Sequence, residues 1–379
     1  MVVFKNQLSV FITTVIFFAV CGFSAVIAGA DTLLTIFYPS IDQSSQPGYM
    51  TRCTDCRNPS LSVLAVGDLM MSGGALSVIR TRGADYPFDS TRSVIQMADL
   101  AMANLEAPIS TQGRPFKKRF TFRVPPSFVS GIYNAGFDVM TLANNHIMDY
   151  GDIGLYDTIE WLDLSGLAHC GAGTDIEEAH QGTICSVKGW KVAFLAYSLT
   201  YPSEFWATQF HAGTAYPNLN RLRSRIQSLK DSTHLVIVSF HWGGELMTRP
   251  KAYQRYYAHQ AIDFGADLVI GHHPHILQGL EYYNGKLIAY SLGNYVFGSY
   301  SGNSKISVLL KVRFGPEGPL YAEIIPITVD NNRIYFQPRI LRGRKREVVI
   351  NHLNELSELF SRNPVVIPHS GLVGLYGFK

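Results

Sequence analysis

The residues best suited to chemistry in this 379-residue chain fall in five short polar clusters, each following an apolar run. They are Gly67-Asp68, Asn104-Leu105-Glu106, Asn144-Asn145-His146, His241-Trp242-Gly243 and Gly271-His272-His273-Pro274-His275. Two carboxylates, an amide oxygen and several imidazoles suit one or two divalent transition metal ions such as Mn, Fe or Zn, whereas Mg and Ca prefer all-oxygen shells. A carboxylate shared by two ions would help activate water against an electrophile. A histidine left beside the ions, for which His146 is the natural candidate, could protonate the leaving group. Taken singly, each cluster has an ordinary explanation. Asp68 reads as an Asx turn or helix cap, Asn144 and Asn145 as turn formers, and His241 as a satisfied core histidine. Recurrence at the ends of five apolar runs is what points to a site.

The runs that must position these clusters are LSVLAVGDL (61–69), DLAMANLE (99–106), FDVMTLANNH (137–146), WKVAFLAYS (190–198), HLVIVSFHWG (234–243) and ADLVIGHHPH (266–275). Each is about five apolar residues long and rich in Val, Ile, Leu or Phe, as strands buried on both faces are. Helix-compatible stretches at 88–98, 126–135, 152–165, 218–230 and 251–264 separate them. That alternation predicts an α/β fold, in which ligands gather at the carboxyl ends of the strands. From 278 onward the strand-like segments LQGLEYYNG, KLIAYSLGN, ISVLLKVRF, LYAEIIPITVD and NRIYFQP come without helices. They predict a second, antiparallel sheet, followed by a helix near 347–361. No repeat or linker interrupts 61–362, which reads as one domain with a tail at 363–379. A hydrophobic content of 47% with 16% charged residues excludes wholesale disorder. Thirty-two basic against 29 acidic residues give a net charge of +3, which makes no case for a nucleic-acid partner.

Residues 8–30 contain no charge and are long enough to cross a bilayer core of about 30 Å as a helix. Lys5 precedes this stretch and Asp31 follows it, an asymmetry that puts the N-terminus inside and the bulk of the chain outside. A signal h-region is only about 7–15 residues long, so the length favours an uncleaved signal anchor over residues 1–38. Ala28-Gly29-Ala30 leaves a cleaved signal peptide, and hence a secreted protein, as the alternative. A lipoprotein reading through Cys21 is weaker, because Phe-Ala-Val before it is a poor lipobox. Residues 39–60 are polar and turn-rich and read as a linker. Outside the apolar segment lie Cys53, Cys56, Cys170 and Cys185, an even number that suits an oxidising compartment. Cys53-Thr-Asp-Cys56 has no second pair at zinc spacing and reads as a local disulfide or two free thiols. Nothing requires Cys170 and Cys185 to pair.

In order and spacing, the segments GDLM (67–70), ANLEAPI (103–109), LANNHIMDYG (142–151), HWG (241–243), GADLVIGHHPH (265–275) and SLGNYVF (291–297) resemble the CapA/PgsA poly-γ-glutamate capsule synthesis proteins. That family lies in the calcineurin-like metallophosphoesterase superfamily. The resemblance implies a four-layer α/β/β/α sandwich, two sheets flanked by helices, on an N-terminal membrane anchor with the domain outside the cell. It assigns Asp68 to the first metal-binding Asp, Glu106 to the bridging carboxylate, Asn145 to the metal-binding Asn and His146 to the catalytic His. His241 matches the lone histidine ligand and His273-Pro274-His275 the closing pair, with His272 as a shifted alternative. Two departures stand out. Met70 occupies the place of a histidine ligand, which weakens the first metal site, and Glu106 is one methylene longer than the usual Asp. Metal binding is therefore expected mainly through Glu106, Asn145, His241 and His273.

Tyr201, Trp206 and other aromatics around 197–216 suit either a cleft wall or a core or lid. The basic runs Lys117-Lys118-Arg119 with Arg123, and Arg339, Arg342, Arg344, Lys345 and Arg346, read as solvated faces or as attractors of a polyanion such as polyglutamate. No G-x-x-x-x-G-K-[ST] loop is present, so energy for any polymer synthesis would come from membrane subunits of a synthase complex. Three functions follow as expectations: a metal-dependent hydrolase or transferase acting on capsule polymer, a non-catalytic polymer-binding accessory subunit, or a phosphoesterase.

Overall fold

The computed structural model describes residues 60–361 except 301 and 317, together with 365–366 and 371–373. The apolar segment, the linker through residue 59 and Cys21, Cys53 and Cys56 lie outside the described residues, as does most of the tail. Among the described residues no helix is long and apolar enough to cross a membrane.

All six apolar runs form strands, and they divide between two sheets. Leu61–Met70, Leu100–Leu105 and Val139–Thr141 lie side by side and parallel in a nine-stranded sheet. Trp190–Ser198, Leu235–His241 and Leu268–His272 do the same in a six-stranded sheet. Side chains alternate across each strand and sort into layers. Leu61, Val63 and Ala65 meet Val192, Phe194, Ile237 and Ile270 in one apolar cluster between the sheets. Leu64 and Val66 face the other way, onto Ile79, Ile132 and Leu155 of helices Gly74–Arg82, Val129–Ala135 and Gly151–Leu164. On the far side, Leu195, Val236 and Val269 pack with Leu222 and Ile226 of helix Leu219–Lys230 and Ala258 and Ile262 of helix Ala252–Asp263. The fold is mixed α/β, and along this packing direction helices, sheet, sheet and helices follow one another.

The segments after 278 do not build a separate antiparallel sheet. The hairpin of Ile306–Gly315 and Gly318–Thr328 runs antiparallel onto Leu61–Met70, and Asn294–Phe297 pairs parallel with that strand. Lys286–Ala289 instead pairs parallel with Leu268–His272 and extends the six-stranded sheet, with Leu280–Tyr283 beyond it. The reason is burial: Val308, Leu310, Val312 and Phe314 project into the cluster between the sheets. NRIYFQP is not a strand either. Asn331–Ile334 is a helical turn closed on the Asp330 carbonyl, and Tyr335 and Phe336 take left-handed backbone that breaks any extended run. The last helix among the described residues is Gly343–Ser357, and Leu372–Val373 pairs with Gly318–Thr328. Cys170 and Cys185 are both free thiols.

Candidate metal centre

A bulge in the first strand aims Asp68. By simple alternation residue 68 would share the helix-facing side with Leu64 and Val66. The pairing register slips between Ala65 and Asp68 and again before Met70, and Leu69 takes the helix-facing place instead. Slips of this kind re-aim the side chain beside them. Gly67 permits the close approach: a Cβ there would stand 1.9 Å from the Gly293 carbonyl oxygen, to which the Asp68 N–H donates at 3.0 Å. Asp68 then lies level with Asn104 on one neighbouring strand and Asn294 on the other. Met70 is buried in the helix-facing core, so its position supplies no ligand.

Asp68 and Glu106 are both fully buried. The Asn104 amide donates to Asp68 Oδ1 at 2.9 Å and lies 3.3 Å from both Glu106 Oε2 and His241 Nδ1. An amide has two hydrogens, so only two of these three contacts are hydrogen bonds. Asp68 also meets His272 Nδ1 and His275 Nδ1, each at 3.1 Å, and accepts the His273 N–H at 3.3 Å. Glu106 Oε1 faces His241 Nε2 at 3.6 Å and His275 Nε2 at 3.9 Å. His241 Nε2 lies 2.7 Å from Asn145 Oδ1. Two triads result, Glu106–His273–His275 and Asp68–Glu106–His241, each with its ligand atoms within 4.8 Å of one another.

These residues fit a divalent cation. Glu106 Oε1, His272 Nε2 and His273 Nδ1 are buried without hydrogen-bond partners among the described residues. An unmet buried polar atom costs about 1–3 kcal/mol, and native interiors leave few of them. The mixed oxygen and imidazole donors suit Mn, Fe or Zn.

His146 belongs to neither triad. Asn144 holds its turn, accepting the N–H of His146 and Ile147 at 3.1 and 2.9 Å while donating to Asn104 Oδ1 and the Leu105 carbonyl. Asn144 is thus the turn former that its type suggests. His146 Nδ1 lies 2.8 Å from Asp149 Oδ2 and 3.2 Å from Lys118 Nζ. Lys118 also pairs with Asp149 Oδ1 at 2.5 Å and donates to the Asn145 carbonyl. The basic run therefore splits: Lys117 and Arg119 are exposed, and Lys118 turns in toward the site. Sequence alone names Asn104 only within its polar cluster and Lys118 only within the basic run, and it does not single out Asp149, three residues after His146 in the quoted motif.

Residues 62–299 match the family described as "Bacterial capsule synthesis protein PGA_cap". The chain belongs to this family. It is 30% identical to the "Capsule biosynthesis protein CapA" of Bacillus anthracis over 334 residues, 80% of this chain and 81% of that protein. It is 31% identical to the "PGA biosynthesis protein CapA" of Bacillus subtilis (strain 168), over 71% of this chain and 72% of that one. Among solved structures, the calcineurin-like phosphoesterase YfkN from Bacillus subtilis superposes with a TM-score of 0.37 at 16% identity, covering 67% of this chain and 85% of that chain.

In this PGA_cap chain the two carboxylates titrate apart. Burial opposes ionisation of Asp68, but hydrogen bonds from His272 and His275 outweigh it and hold the carboxyl well below its usual range. Burial, reinforced by the charge of Asp68, drives Glu106 well above. His275 is raised to about 9, because Glu106 and Asp68 overcome the burial that would lower it. Burial and the charge of His275 bring His273 down to about 3, and burial with His273 sets His241 well below the ordinary imidazole value. His241 and His273 are therefore neutral at pH 7, the form in which imidazole binds metals.

Asn145 and His273 line a cleft of about 560 Å³ together with Tyr201, Trp206, Tyr216 and Tyr257. The 197–216 aromatics thus divide, since Tyr197 is fully buried core. Glu245 also lines the cleft, and its charge reaches both Glu106 and His275. Glu245 stands two residues beyond the HWG motif at 241–243. Arg339, Arg342, Arg344 and Lys345 are exposed at and before the start of helix Gly343–Ser357.

Proposed function

We propose that this chain is a membrane-attached, extracellular component of poly-γ-glutamate capsule synthesis or export, with a metal-dependent hydrolase or transferase site. The observation that carries the reading is the meeting of two buried carboxylates with neutral imidazoles beside an open cleft. Asp68, Glu106, Asn145, His241, His273 and His275 would hold one or two Mn, Fe or Zn ions. Such an ion, when bound, supplies Lewis acidity toward the electrophile and activates water. His146, fixed at Nδ1 by Asp149, presents Nε2 as the proton carrier for the leaving group. Lys118 offsets the charge of Asp149. The four-layer metallophosphoesterase sandwich suits this placement, with strand ends of both sheets meeting at one rim.

One observation favours a second reading. Met70, which by resemblance takes the place of a histidine ligand, is buried in the helix-facing core, which supports a polymer-binding accessory subunit whose metal is chiefly structural. Complementation of a capsule-deficient strain separates the two. On the catalytic reading His241→Ala and His146→Ala both abolish capsule output. Full output from His146→Ala alone supports the accessory reading, and full output from both variants contradicts the site. For location, protease added to spheroplasts should digest the domain; complete protection with cytosolic fractionation would contradict export.

A further inference from the structure

We propose that the aromatic wall of Tyr201, Trp206 and Tyr216, with Lys251 on the same lining, is the seat of the polymer: a polyanionic polyamide chain laid across the cleft toward Asn145 and His273. The inference rests on the polyglutamate reading above and adds where the chain binds.

The wall is built for a ligand more than for the core. Tyr201 is 77% exposed and Tyr216 37%. Large rings held open to water and clustered together mark binding surfaces. The rings are also fixed. Trp206 Nε1 donates to the Thr200 carbonyl at 3.1 Å, and the indole lies against Tyr216 at 4.3 Å and Tyr201 at 5.7 Å. Phe205, the neighbour of Trp206, is buried and packs edge-on against Phe116 at 4.9 Å. Lys118 caps the same Phe205 ring at 5.0 Å. The loop bearing the wall is thereby pinned to the loop that reaches His146, so a chain seated on the rings is placed relative to the candidate proton carrier.

The charges choose the occupant. Lys251 lines the cleft at the start of helix Ala252–Asp263 and has no carboxylate partner among the described residues. Glu245 lies on the same lining, nearer in effect to Glu106 and His275. A γ-linked glutamyl unit offers a flat amide and two methylenes, which suit ring faces, and one carboxylate, which suits Lys251 and is repelled by Glu245. The wall therefore supplies contact that salt does not screen, and Lys251 contact that salt does.

The test is calorimetric titration of the full chain, stripped of metal by chelator, with a γ-linked glutamate decamer at low and high salt. Wild type should bind at both. Trp206→Ala and Tyr216→Ala should each weaken binding about three- to tenfold at either salt, with Trp206→Phe restoring most of it. Lys251→Ala should weaken binding at low salt and flatten the salt dependence. Wild-type affinity in both Trp206→Ala and Lys251→Ala, with the decamer still bound, overturns the subsite and leaves the polyglutamate reading to the capsule assay. Failure of wild type to bind the decamer, with a neutral oligosaccharide bound through Trp206 instead, overturns the subsite and the polyglutamate reading together.

Discussion

His241 and Asn145 meet at 2.7 Å although 96 positions separate them, one ending a strand of the six-stranded sheet and the other following a strand of the nine-stranded sheet. The candidate centre is therefore a clasp between sheets. Neither sheet holds a complete triad: Asp68 and Glu106 come from one, His241, His273 and His275 from the other. Their spacing is set by the apolar cluster that keeps the sheets together, in which Val63, Phe194 and Ile237 are essentially inaccessible.

Metal binding should be coupled to proton release. A proton on His275 blocks a donor atom and is held to about pH 9 by Glu106 and Asp68. Metal competes with that proton, so affinity should rise with pH until about 9 and then level off. Calorimetry in buffers of different ionisation enthalpy should show proton release near pH 7. The metal-free protein has the complementary behaviour. The folded value lies above the unfolded 6.5, so stability from His275 is complete below 6.5 and is lost as pH rises through 9. Urea midpoints across that window, compared with His275→Gln, isolate the effect.

Gly67→Ala should damage both fold and site. Its Cβ would press on the Gly293 backbone, which cannot swing aside, and overpacking costs about 1–3 kcal/mol. Asp68 would move with it, so metal should be lost even below the melting temperature. Gly302→Ala, whose Cβ meets nothing within 4 Å, is the matched control and should leave the melting curve unchanged. Equal melting curves for the two variants would refute the argument from close approach.

Asp149 and Lys118 should move the titration of His146 in opposite directions. Burial lowers its pKa, Asp149 resists that, and the charge of Lys118 adds to it. Asp149→Asn should therefore lower the His146 pKa further, and Lys118→Met should raise it. An NMR pH titration of the ring resonances reads both signs directly. Capsule output should fall in Asp149→Asn even where metal content is unchanged, since an unanchored imidazole loses roughly 10²- to 10⁴-fold of acid–base assistance.

Parallel, doubly buried strands write themselves as short Val, Ile and Leu runs, and all six appear where the runs are, five of them ending in polar clusters. Hydrophobic pattern alone puts the later strands in a sheet of their own, because it carries no information on which edge a strand will pair with. Ile306–Gly315 alternates like any half-buried strand, and only the shared cluster with Leu61 and Val63 fixes its place. The clusters named most of the residues that converge. Asn104 is named in its polar cluster, but its place as a hydrogen-bonding hub depends on the slip at Asp68, which pattern does not show. Nothing in the basic triplet 117–119 marks which member turns inward, so the place of Lys118 is not legible in sequence.

The most direct measurement is metal content by elemental analysis of the purified protein after dialysis, comparing wild type with His241→Ala and His146→Ala. At least one equivalent of Mn, Fe or Zn is expected in wild type and in His146→Ala, with most of it lost in His241→Ala. Wild-type metal content in His241→Ala, or no metal retained by the wild type after reconstitution with all three ions, would contradict it.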